Sequence, residues 1–521
     1  MNMREQISEL EARKARDREM GGPERVARQK QKGKLTARER VALLFDPGTF
    51  EEYGLLARQS GALPGEERTP SPADGVLTGV GEIHGRPVAA AVYDFTVFGG
   101  SIGDVGEKKV SRLRDVALKS RIPIVWLVDS AGARLGGEGI DGARLSSFAD
   151  TGYLFREQVV MSGVVPQVAA MVGPGAAGTA YIPGLADFVP MVKGTSSMAI
   201  GGPYLVESVV GEQITEEALG GSQIHNAISG CADAEYASDE DCIAAIRSYL
   251  GFFPSHCEQK PPRAATTDPA ARREESLADL IPESPRRAYD MKKLLSAVVD
   301  GGELFEIKAK WAKNMVTALA RIDGRPVGLV ANNPMFYAGA LDVNASDKAA
   351  RFINLCDAFN IPLCFFQDVP GFMVGSKVEK DGIIRHGAKM LYAVASATVP
   401  KLTVVVRKGY GAGYYVMCGR AFEPDLLVAW PGAEISVMGA EGLVSIGARK
   451  MLQGAEHPAE LKAELASQLR PHIDIYRVAA MGLVDDVIDP RDTRKVLARA
   501  LARSENKRVE RPFRRREVSP V

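Results

Sequence analysis

Two short turns rich in glycine and alanine are the places where this sequence could do chemistry. The first, VGPGAAGTAY at 172–181, follows the apolar run VAAMV, and RKGYGAGYY at 407–415 follows the similar run LTVVV. Small side chains let a ligand approach the backbone closely, and N–H groups at the start of a helix face developing negative charge. The small residues at 175–178 and at 411–413 therefore predict two oxyanion holes, as in an enzyme that works through an enolate.

A second pair of loops could supply the other N–H group of each hole. VFGGSIGD at 97–104 and FYAGALDV at 336–343 match each other, and each lies between a predicted strand and a predicted helix. An ordinary structural turn is the alternative interpretation of either loop. The run GSIGDVGEKK lacks the GK[ST] ending of a P-loop, so this loop is not predicted to cradle a phosphate in that way.

A dinucleotide site is the main rival interpretation of the first turn. Gly173, Gly175 and Gly178 spell GxGxxG after a predicted strand. However, at least three predicted strands come earlier, Pro174 interrupts the motif, and no acidic residue follows at the distance that would hold a ribose. In the second turn Arg407 takes the place of the first glycine. Oxyanion binding is therefore favoured over nucleotide binding.

Other catalytic classes lack their motifs. The six histidines are scattered and form no HExxH motif, and the sequence has no GxSxG elbow. Because no nucleophile, metal cluster or pair of acids stands out, we expect chemistry that depends on hydrogen-bond donors and positioning. A cofactor would supply the base, and no metal is expected in this chain.

The predicted strands and helices that position these turns occur in two similar copies along the sequence. HGRPV at 84–88 matches DGRPV at 323–327, and IPIVWLVDSAG at 122–132 matches IPLCFFQDVPG at 361–371, both with an offset of 239. The glycine-rich turns match with an offset of 234, and Lys109 matches Lys348 with an offset of 239. Such ordered matches predict two homologous α/β domains, each with a parallel sheet and right-handed crossovers. A site between the copies would have one loop from each.

The pattern also predicts individual elements and a boundary. Residues 259–287 are rich in proline and charge, which indicates a linker, and we place the domains at 1–270 and 271–521. Thr36 followed by Glu39 is a capping box that begins a helix. Helices are predicted at 107–120 and near 145–161, with strands at IPIVWLV and PQVAAMV.

Composition limits the partners. The 65 basic and 65 acidic residues of this 521-residue chain cancel, which argues against a role at nucleic acid or at a membrane surface. The six cysteines form no CxxC pair, so free thiols in a reducing compartment are expected, and a cytoplasmic location follows. The N-terminus mixes acids and bases without an apolar segment, so neither a signal peptide nor a membrane anchor is expected.

Over nearly its whole length the chain resembles the carboxyltransferase (β) subunits of biotin-dependent acyl-CoA carboxylases. The motifs that carry the resemblance include GKLTARERVALLFDPGTFEE, DFTVFGGSIGDVGEKK, GPGAAGTAYIPGLADFVPMVKGTSSM, ITEEALGGSQIHNAISG, LDVNASDKAARFINLCDAFNIPLCFFQDVPGF, GIIRHGAKMLYAVASATVPK and MCGRAFEPDLLVAWPGAEISVMGAEG. The resemblance implies two crotonase-like (ClpP/crotonase) domains and a site between the N-domain of one subunit and the C-domain of another. It also implies a homohexamer built as a trimer of dimers.

The resemblance implies a mechanism as well. Carboxybiotin arrives on a carrier belonging to a biotin carboxylase partner, and the carboxyl group passes to the enolate of a short acyl-CoA, most simply propionyl-CoA or acetyl-CoA. One hole would hold the thioester enolate and the other the ureido oxygen of biotin; the family favours acyl-CoA nearer the N-domain, but the motifs do not decide. The residues implied are the backbone N–H groups of Ala177, Gly178, Ala412 and Gly413, with Gly99, Gly100, Ser101, Thr179, Ala338, Gly339, Gly411 and Tyr415 binding substrate or cofactor.

Substrate and direction stay open at this level. Propionyl-type members carry an acidic or small residue in a GGAYDVM-like run where this chain has GAGYYVM with Tyr415, which looks more like a 3-methylcrotonyl-type subunit. Tyr415 could narrow the acyl pocket, donate a hydrogen bond or simply pack. Related decarboxylases use the same fold in reverse. A biotin-free hydratase or isomerase would need a general base such as Glu441, and a non-catalytic scaffold subunit is a further alternative.

Overall fold

The chain folds into two compact units of the same design, Met1–Gln259 and Lys260–Val521. The structure, a computed structural model, describes residues 2–59, 62, 69–134, 153–284, 287–513, 515 and 518–520. Residues 260–270 belong to the second unit, where Arg494 donates a hydrogen bond to the carbonyl of Pro269 and another to that of Val298. The assignment of 1–270 and 271–521 as two carboxyltransferase domains stays a prediction.

The first unit is built on one mixed sheet. Among the described residues the strand order is β1-β2-β3-β4-β5-β6-β8, with β7 paired to β5. Strands β1 to β3 pair antiparallel, and the pairs from β3 onward are parallel. The strands are β1 (Glu51–Tyr53), β2 (Val76–Ile83), β3 (Arg86–Tyr93), β4 (Ile124–Ser130), β5 (Gln167–Ala176), β6 (Pro190–Val192), β7 (Ser197–Ala199) and β8 (Ala234–Tyr236).

The second unit repeats this sheet. Its order is β9-β10-β11-β12-β13-β14-β16 with β15 paired to β13, and again the first three strands pair antiparallel and the rest parallel. The predicted duplication and the mixed α/β fold are thus confirmed. The strands are β9 (Phe305–Ile307), β10 (Met315–Ile322), β11 (Arg325–Asn332), β12 (Leu363–Val369), β13 (Lys401–Tyr410), β14 (Leu426–Ala429), β15 (Glu434–Ser436) and β16 (Asp486–Val487).

Helices connect and cover the strands. The predicted helix at 107–120 is observed at 104–120; of the one predicted near 145–161, residues 145–152 lie outside the described residues and the rest is helical from 153. In the first unit they are α1 (Met3–Asp17), α2 (Pro23–Gln31), α3 (Ala37–Leu44), α4 (Asp104–Ser120), α5 (Tyr153–Met161), α6 (Gly178–Gly184), α7 (Pro203–Val210), α8 (Glu216–Gly220) and α9 (Asp239–Leu250). In the second they are α10 (Met291–Val298), α11 (Val343–Ala358), α12 (Ser376–Lys380), α13 (Ile383–Ser396), α14 (Gly411–Val416), α15 (Ala440–Gly447), α16 (Arg449–Gln453), α17 (Pro458–Leu469), α18 (Ile475–Ala480) and α19 (Thr493–Arg503).

Local sequence signals and burial explain these elements. The Thr36 side chain accepts a hydrogen bond from the Glu39 N–H and the Glu39 carboxylate accepts one from the Thr36 N–H, so the predicted capping box starts α3. Strands β4 and β12 are buried along their whole length, as continuous apolar runs in a parallel sheet should be. Trp126 on β4 is only 1% exposed and lies in the core of the first unit.

A buried lysine in each unit anchors the loop that leads into the sheet. Lys109 on α4 donates hydrogen bonds to the carbonyls of Ala73 (2.8 Å) and Val76 (2.7 Å). Lys348 on α11 does the same for the carbonyls of Lys308 (2.9 Å) and Met315 (2.7 Å). Burial lowers the pKa of Lys109 to about 8 and that of Lys348 to about 7. The two lysines are related by the offset of 239, so both copies contain this buried lysine and its hydrogen bonds to loop carbonyls.

Candidate functional site

The first glycine-rich turn joins β5 to α6 through a strained alanine. Ala177 has φ +52° and ψ −121°, a conformation that residues with a Cβ rarely adopt. Its N–H donates to the carbonyl of Ala199 on β7 (3.1 Å), so that N–H is already used. The N–H groups of Gly178 and Thr179 come next, at the start of α6, where an N–H has no acceptor within its own helix. The N–H groups that this turn leaves available are therefore those of Gly178 and Thr179, and the oxyanion hole predicted at Ala177 and Gly178 stays a prediction.

The second turn has the same construction. Gly411 has φ +55° and takes the place of Ala177, because the offset of 234 pairs these two positions. The N–H groups of Ala412 and Gly413 then stand at the start of α14, as Gly178 and Thr179 do at the start of α6. Positive partial charge from a helix N-terminus stabilises an anion at this place.

Glycine is required at 413 but not at its counterpart. A Cβ on Gly413 would lie 2.8 Å from a methyl carbon of Val369 and 3.0 Å from the Cα of Gly371. In the first unit the same position holds Thr179, whose buried hydroxyl donates to the carbonyl of Ala176 (2.8 Å). The two turns therefore both place a residue with positive φ before a short helix and differ in the side chains around it.

The second pair of predicted loops forms left-handed turns in both units. The N–H of Gly100 donates to Val97 and that of Gly339 donates to Phe336, both at 2.9 Å, so these two groups are used inside their turns. Within the described residues no hydrogen bond engages the N–H of Gly99 or of Ala338. Three successive residues in each turn have positive φ: Phe98, Gly99 and Gly100, and Tyr337, Ala338 and Gly339.

Strand pairing brings the two predicted loops of the first unit to one edge. The N–H of Ala131, just after β4, donates to the carbonyl of Gly99 (2.8 Å). Ser130, the last residue of β4, pairs with Gly175 near the end of β5. Both loops thus lie at the carboxyl ends of neighbouring parallel strands, where open α/β sheets bind ligands.

The same edge is formed in the second unit. A Cβ on Gly339 would lie 2.4 Å from the carbonyl oxygen of Asp368, so the left-handed turn lies against the end of β12. Gly371, which follows that strand, is in turn packed against Gly413 of the other turn. The structure thus brings the predicted loops together within each unit.

A buried acid lies behind the first turn. Asp129 at the end of β4 is fully buried and pairs with Lys34 (2.6 Å) and Arg40 (2.9 Å) from the N-terminal segment. Gln29 donates to the same carboxylate (2.9 Å). Burial lowers the pKa of Lys34. A Cβ on Gly173 would lie 1.9 Å from an oxygen of Asp129, so glycine here makes room for the pair and not for a dinucleotide.

In the second unit a single arginine pairs with the buried aspartate. Asp368, the counterpart of Asp129, pairs with Arg407 (2.9 Å), which occupies the position of Gly173. Burial raises the pKa of Asp368, although the guanidinium opposes this. Sequence reasoning missed both pairs. The signal that could have revealed them was the aspartate conserved between the copies together with the change from glycine to arginine.

Two further predicted residues lie in the second unit. Tyr415 on α14 is half exposed and its ring is stacked with that of Phe422, with centroids 6.2 Å apart. Glu441 on α15 forms an ion pair with Arg470 (2.7 Å). The carboxylate of Glu441 is thus already engaged by a guanidinium.

The described part of the chain offers neither a metal site nor a membrane span. It contains no group of three His, Cys, Asp or Glu side chains placed to hold a metal ion. None of its helices is long and apolar enough to cross a membrane. All six cysteines are free, and four of them, Cys242, Cys356, Cys364 and Cys418, are buried.

Comparison with known proteins identifies the family to which the chain belongs. Residues 28–519 match the family described as carboxyl transferase domain. The chain is 44% identical over 509 residues to methylmalonyl-CoA decarboxylase subunit alpha of Veillonella parvula, covering 98% of this chain and 97% of the relative. It is 42% identical over 522 residues to the propionyl-CoA carboxylase carboxyltransferase subunit of Haloferax mediterranei, covering all of both.

A solved structure agrees. The transcarboxylase 12S hexamer, crystallised with methylmalonyl-coenzyme A and methylmalonic acid, superposes with a TM-score of 0.94 at 42% identity, covering 100% of this chain and 99% of the other. The chain thus has the tandem crotonase-like fold and belongs to the carboxyl transferase domain family. It is a carboxyltransferase of the biotin-dependent acyl-CoA carboxylase class, which confirms the family resemblance.

Proposed function

We propose that this chain transfers a carboxyl group between carboxybiotin on a separate carrier protein and the α-carbon of a short acyl-CoA of the propionyl-CoA and methylmalonyl-CoA type. The duplicated turn, with free backbone donors at the start of a helix in each unit, is the observation that carries the proposal. The names of the relatives support the acyl group, since they act on propionyl-CoA or methylmalonyl-CoA.

The donors fit the two oxygen atoms that such a reaction would present. A thioester oxygen gains negative charge when the α-proton leaves, and the ureido oxygen of biotin gains it when the carboxyl group leaves. Carboxybiotin supplies the carboxyl group and, after losing it, the basic site for the α-proton. Two oxyanions need two sets of donors, and the chain provides one set per unit.

The residues of the first unit would hold one of these oxyanions by backbone groups alone. The N–H groups of Gly178 and Thr179 point from the start of α6, and that of Gly99 stands at the end of the neighbouring strand. Removing one preorganised donor of this kind typically slows an enzyme by about 10² to 10³. The donors of the second unit, at Ala412, Gly413 and Ala338, would hold the other oxyanion. We assign the acyl-CoA to the first unit and biotin to the second.

Assembly and location complete the proposal. We propose a homohexamer, because the solved relative with the same fold over its whole length is a hexamer. The biotin carrier and biotin carboxylase are proposed as separate proteins, and the cytoplasm as the location, in keeping with six free cysteines. Native mass spectrometry of the purified chain would test the hexamer.

A decarboxylase subunit is the second candidate, because the relative from Veillonella parvula has that role at 44% identity. The chemistry of the donors is the same in both directions. A decarboxylase would transfer carboxyl groups from methylmalonyl-CoA to biotin and would depend on a separate partner to release CO2 from carboxybiotin.

Transfer to free biotin tests the proposal with the isolated chain. Methylmalonyl-CoA labelled in its carboxyl group is incubated with the protein, with and without free biotin, and the formation of propionyl-CoA is followed. We expect biotin-dependent formation of propionyl-CoA, with malonyl-CoA as a comparison substrate. The reverse assay uses the cognate carboxylase and carrier with ATP, labelled bicarbonate and propionyl-CoA, acetyl-CoA or 3-methylcrotonyl-CoA.

The outcomes separate the candidates. Labelled product in the second assay supports the carboxylase, and the acyl-CoA that gains label identifies the substrate. Transfer in the first assay, with no labelled product from any acyl-CoA in the second, favours the decarboxylase. Activity in neither assay rejects the proposal, and turnover of an enoyl-CoA without biotin would support the hydratase instead.

A further inference from the structure

A chain of polar side chains lies directly behind the second turn. Tyr410 is the last residue of β13 and immediately precedes Gly411. Its hydroxyl donates a hydrogen bond to the carboxylate of Glu434 on β15. Arg470, at the end of α17, donates to the other oxygen of Glu434 (3.4 Å) and to Glu441 on α15 (2.7 Å). The guanidinium of Arg470 therefore bridges two carboxylates, and one of them, Glu434, accepts the hydrogen bond from Tyr410.

Tyr410 is buried and its hydroxyl is fixed by the hydrogen bond to Glu434. Tyr410 is 6% exposed, and burial together with the neighbouring Glu434 carboxylate raises the pKa of its hydroxyl. The hydroxyl therefore stays protonated and donates to Glu434. A Cβ on Gly439 would lie 3.1 Å from the ring of Tyr410, so this glycine allows α15 to begin against the tyrosine.

In the described part of the first unit this set of contacts is absent. Glu434 pairs with Lys408 across β13 and β15, and the same pairing in the first unit joins Ser197 to Pro174. Ala176 stands where Tyr410 stands. The hydrogen bonds that join Tyr410, Glu434 and Arg470 therefore belong to the second turn.

We propose that Arg470 is a positioning residue for the second oxyanion hole. It holds Glu434 against the hydroxyl of Tyr410, and this fixes the end of β13 and so the direction of the N–H groups of Ala412 and Gly413. This inference rests on the proposed function, since it assumes that these N–H groups hold an oxyanion. Arg470 touches no reacting atom and acts only through Glu434 and Tyr410.

The position of Arg470 allows a direct test. Its side chain is 37% exposed and lines a surface cavity of about 580 Å³, together with Glu434, Ser467, Asp474 and Arg477. In an Arg470→Ala variant a free guanidinium ion could enter from this cavity and take the place of the lost group. Arg477→Ala is the matched control, because Arg477 lines the same cavity and does not contact Glu434.

The experiment measures biotin-dependent transfer from methylmalonyl-CoA by the full-length protein. We expect Arg470→Ala to lower kcat by about tenfold or more with little change in the KM for the acyl-CoA, because ground-state binding is left intact. Guanidinium chloride below denaturing concentrations should restore much of the lost kcat, and the same salt should leave Arg477→Ala unchanged. Sodium chloride at equal ionic strength controls for screening.

A double-mutant cycle tests the route of the effect. Tyr410→Phe removes only the hydroxyl, so it should lower kcat by a similar factor, and adding Arg470→Ala to it should have little further effect because the two residues act through one contact. Independent, multiplying effects would overturn the proposal. So would full activity in Arg470→Ala, or a loss that guanidinium does not restore while thermal stability falls with it. Should Arg470→Ala fold poorly, Tyr410→Phe and Arg470→Lys carry the same test.

Failure of this inference can be distinguished from failure of the proposed function. Wild-type protein without biotin-dependent transfer rejects the proposed function. Wild-type protein with transfer, and Arg470→Ala with the same kcat, rejects only the positioning role.

Discussion

Ala177 and Gly411, its counterpart in the other unit, both have a positive φ, +52° against +55°. Glycine adopts such angles without steric cost, whereas alanine is strained there. Each residue stands one position before the helix whose first N–H groups form the predicted hole. The duplicated chain has therefore kept a positive φ at this position even where the residue is not glycine.

Relief of this strain should be measurable. Strain of about 1–3 kcal/mol at Ala177 is opposed by about 0.4–1 kcal/mol of extra chain entropy when glycine replaces alanine. Ala177→Gly should therefore raise the Tm of the protein, as measured by scanning calorimetry. Gly411→Ala should lower it, since the new Cβ would lie 2.9 Å from the carbonyl of Val437. A lower Tm for Ala177→Gly would contradict this account of the turn.

The pair of Asp368 and Arg407 should give the second unit a pH-dependent weakness when it is broken. Arg407→Met leaves the buried carboxylate of Asp368 without its ion-pair partner, which costs about 3–5 kcal/mol. The pKa of Asp368, already raised by burial, rises further without the guanidinium. A raised carboxyl pKa destabilises the fold in full above that pKa, and the penalty shrinks as the pH falls from the raised pKa toward the ordinary carboxyl value. The Tm difference from wild type should therefore be large at pH 8 and shrink toward pH 5.

A second substitution is the control for this prediction. Adding Asp368→Asn to Arg407→Met removes the unpaired charge, so the double variant should regain much of the lost Tm and lose most of its pH dependence. A Tm difference that is the same at every pH would show that the arginine contributes packing and not charge.

Truncation of Tyr415 tests whether its ring bears on the choice of acyl group. Tyr415→Ala removes the ring that is stacked with Phe422 and opens space beside the second turn. If the ring narrows the acyl pocket, the ratio of kcat/KM for butyryl-CoA over propionyl-CoA should rise by about tenfold or more, within the range for one methylene group. Tyr415→Phe should leave the ratio unchanged unless the hydroxyl binds substrate. Equal ratios in all three proteins would assign the tyrosine to packing alone.

The sequence predicted the features that depend on local pattern and on repetition. Offsets of 239 and 234 revealed two units, and Thr36 with Glu39 marked the start of a helix. It could not show that the N–H of Ala177 is used by Ala199, because that hydrogen bond joins two strands whose register is set by tertiary packing. The predicted donors at Ala177 and Gly178 stay a prediction, and the engaged N–H of Ala177 is the reason to include Thr179 beside them.

The charged groups behind the turns were invisible for a similar reason. Lys34 and Arg40 lie almost a hundred residues from Asp129 in sequence, and nothing in their spacing indicates a contact. Arg407 was noticed only as a departure from a glycine motif. An arginine that replaces glycine beside a buried strand needs an acidic partner, and for Arg407 that partner is Asp368.

The backbone donors of the second turn are open to a substitution that removes a single N–H. Ala412 takes the first helical position of α14 in practice, because Gly411 before it has φ +55°. Proline is favoured at such a position, since the N–H it lacks has no acceptor within the helix. Ala412→Pro should therefore keep the fold and lose one oxyanion donor, lowering kcat for biotin-dependent transfer by about 10² to 10³. Ala412→Gly keeps the N–H and is the matched control.

Steady-state kinetics of the two variants decide the matter, with Tm measured on the same samples. If acyl-CoA binds to the first unit, Ala412→Pro should leave the KM for methylmalonyl-CoA close to that of wild type. The KM for biotin should rise at most modestly, because the missing donor acts mainly on the charged transition state. A large rise in the KM for methylmalonyl-CoA would exchange the two assignments. Turnover by Ala412→Pro equal to that of Ala412→Gly would remove the second turn from the catalytic machinery, since a folded protein without that N–H would then work as well as one that has it.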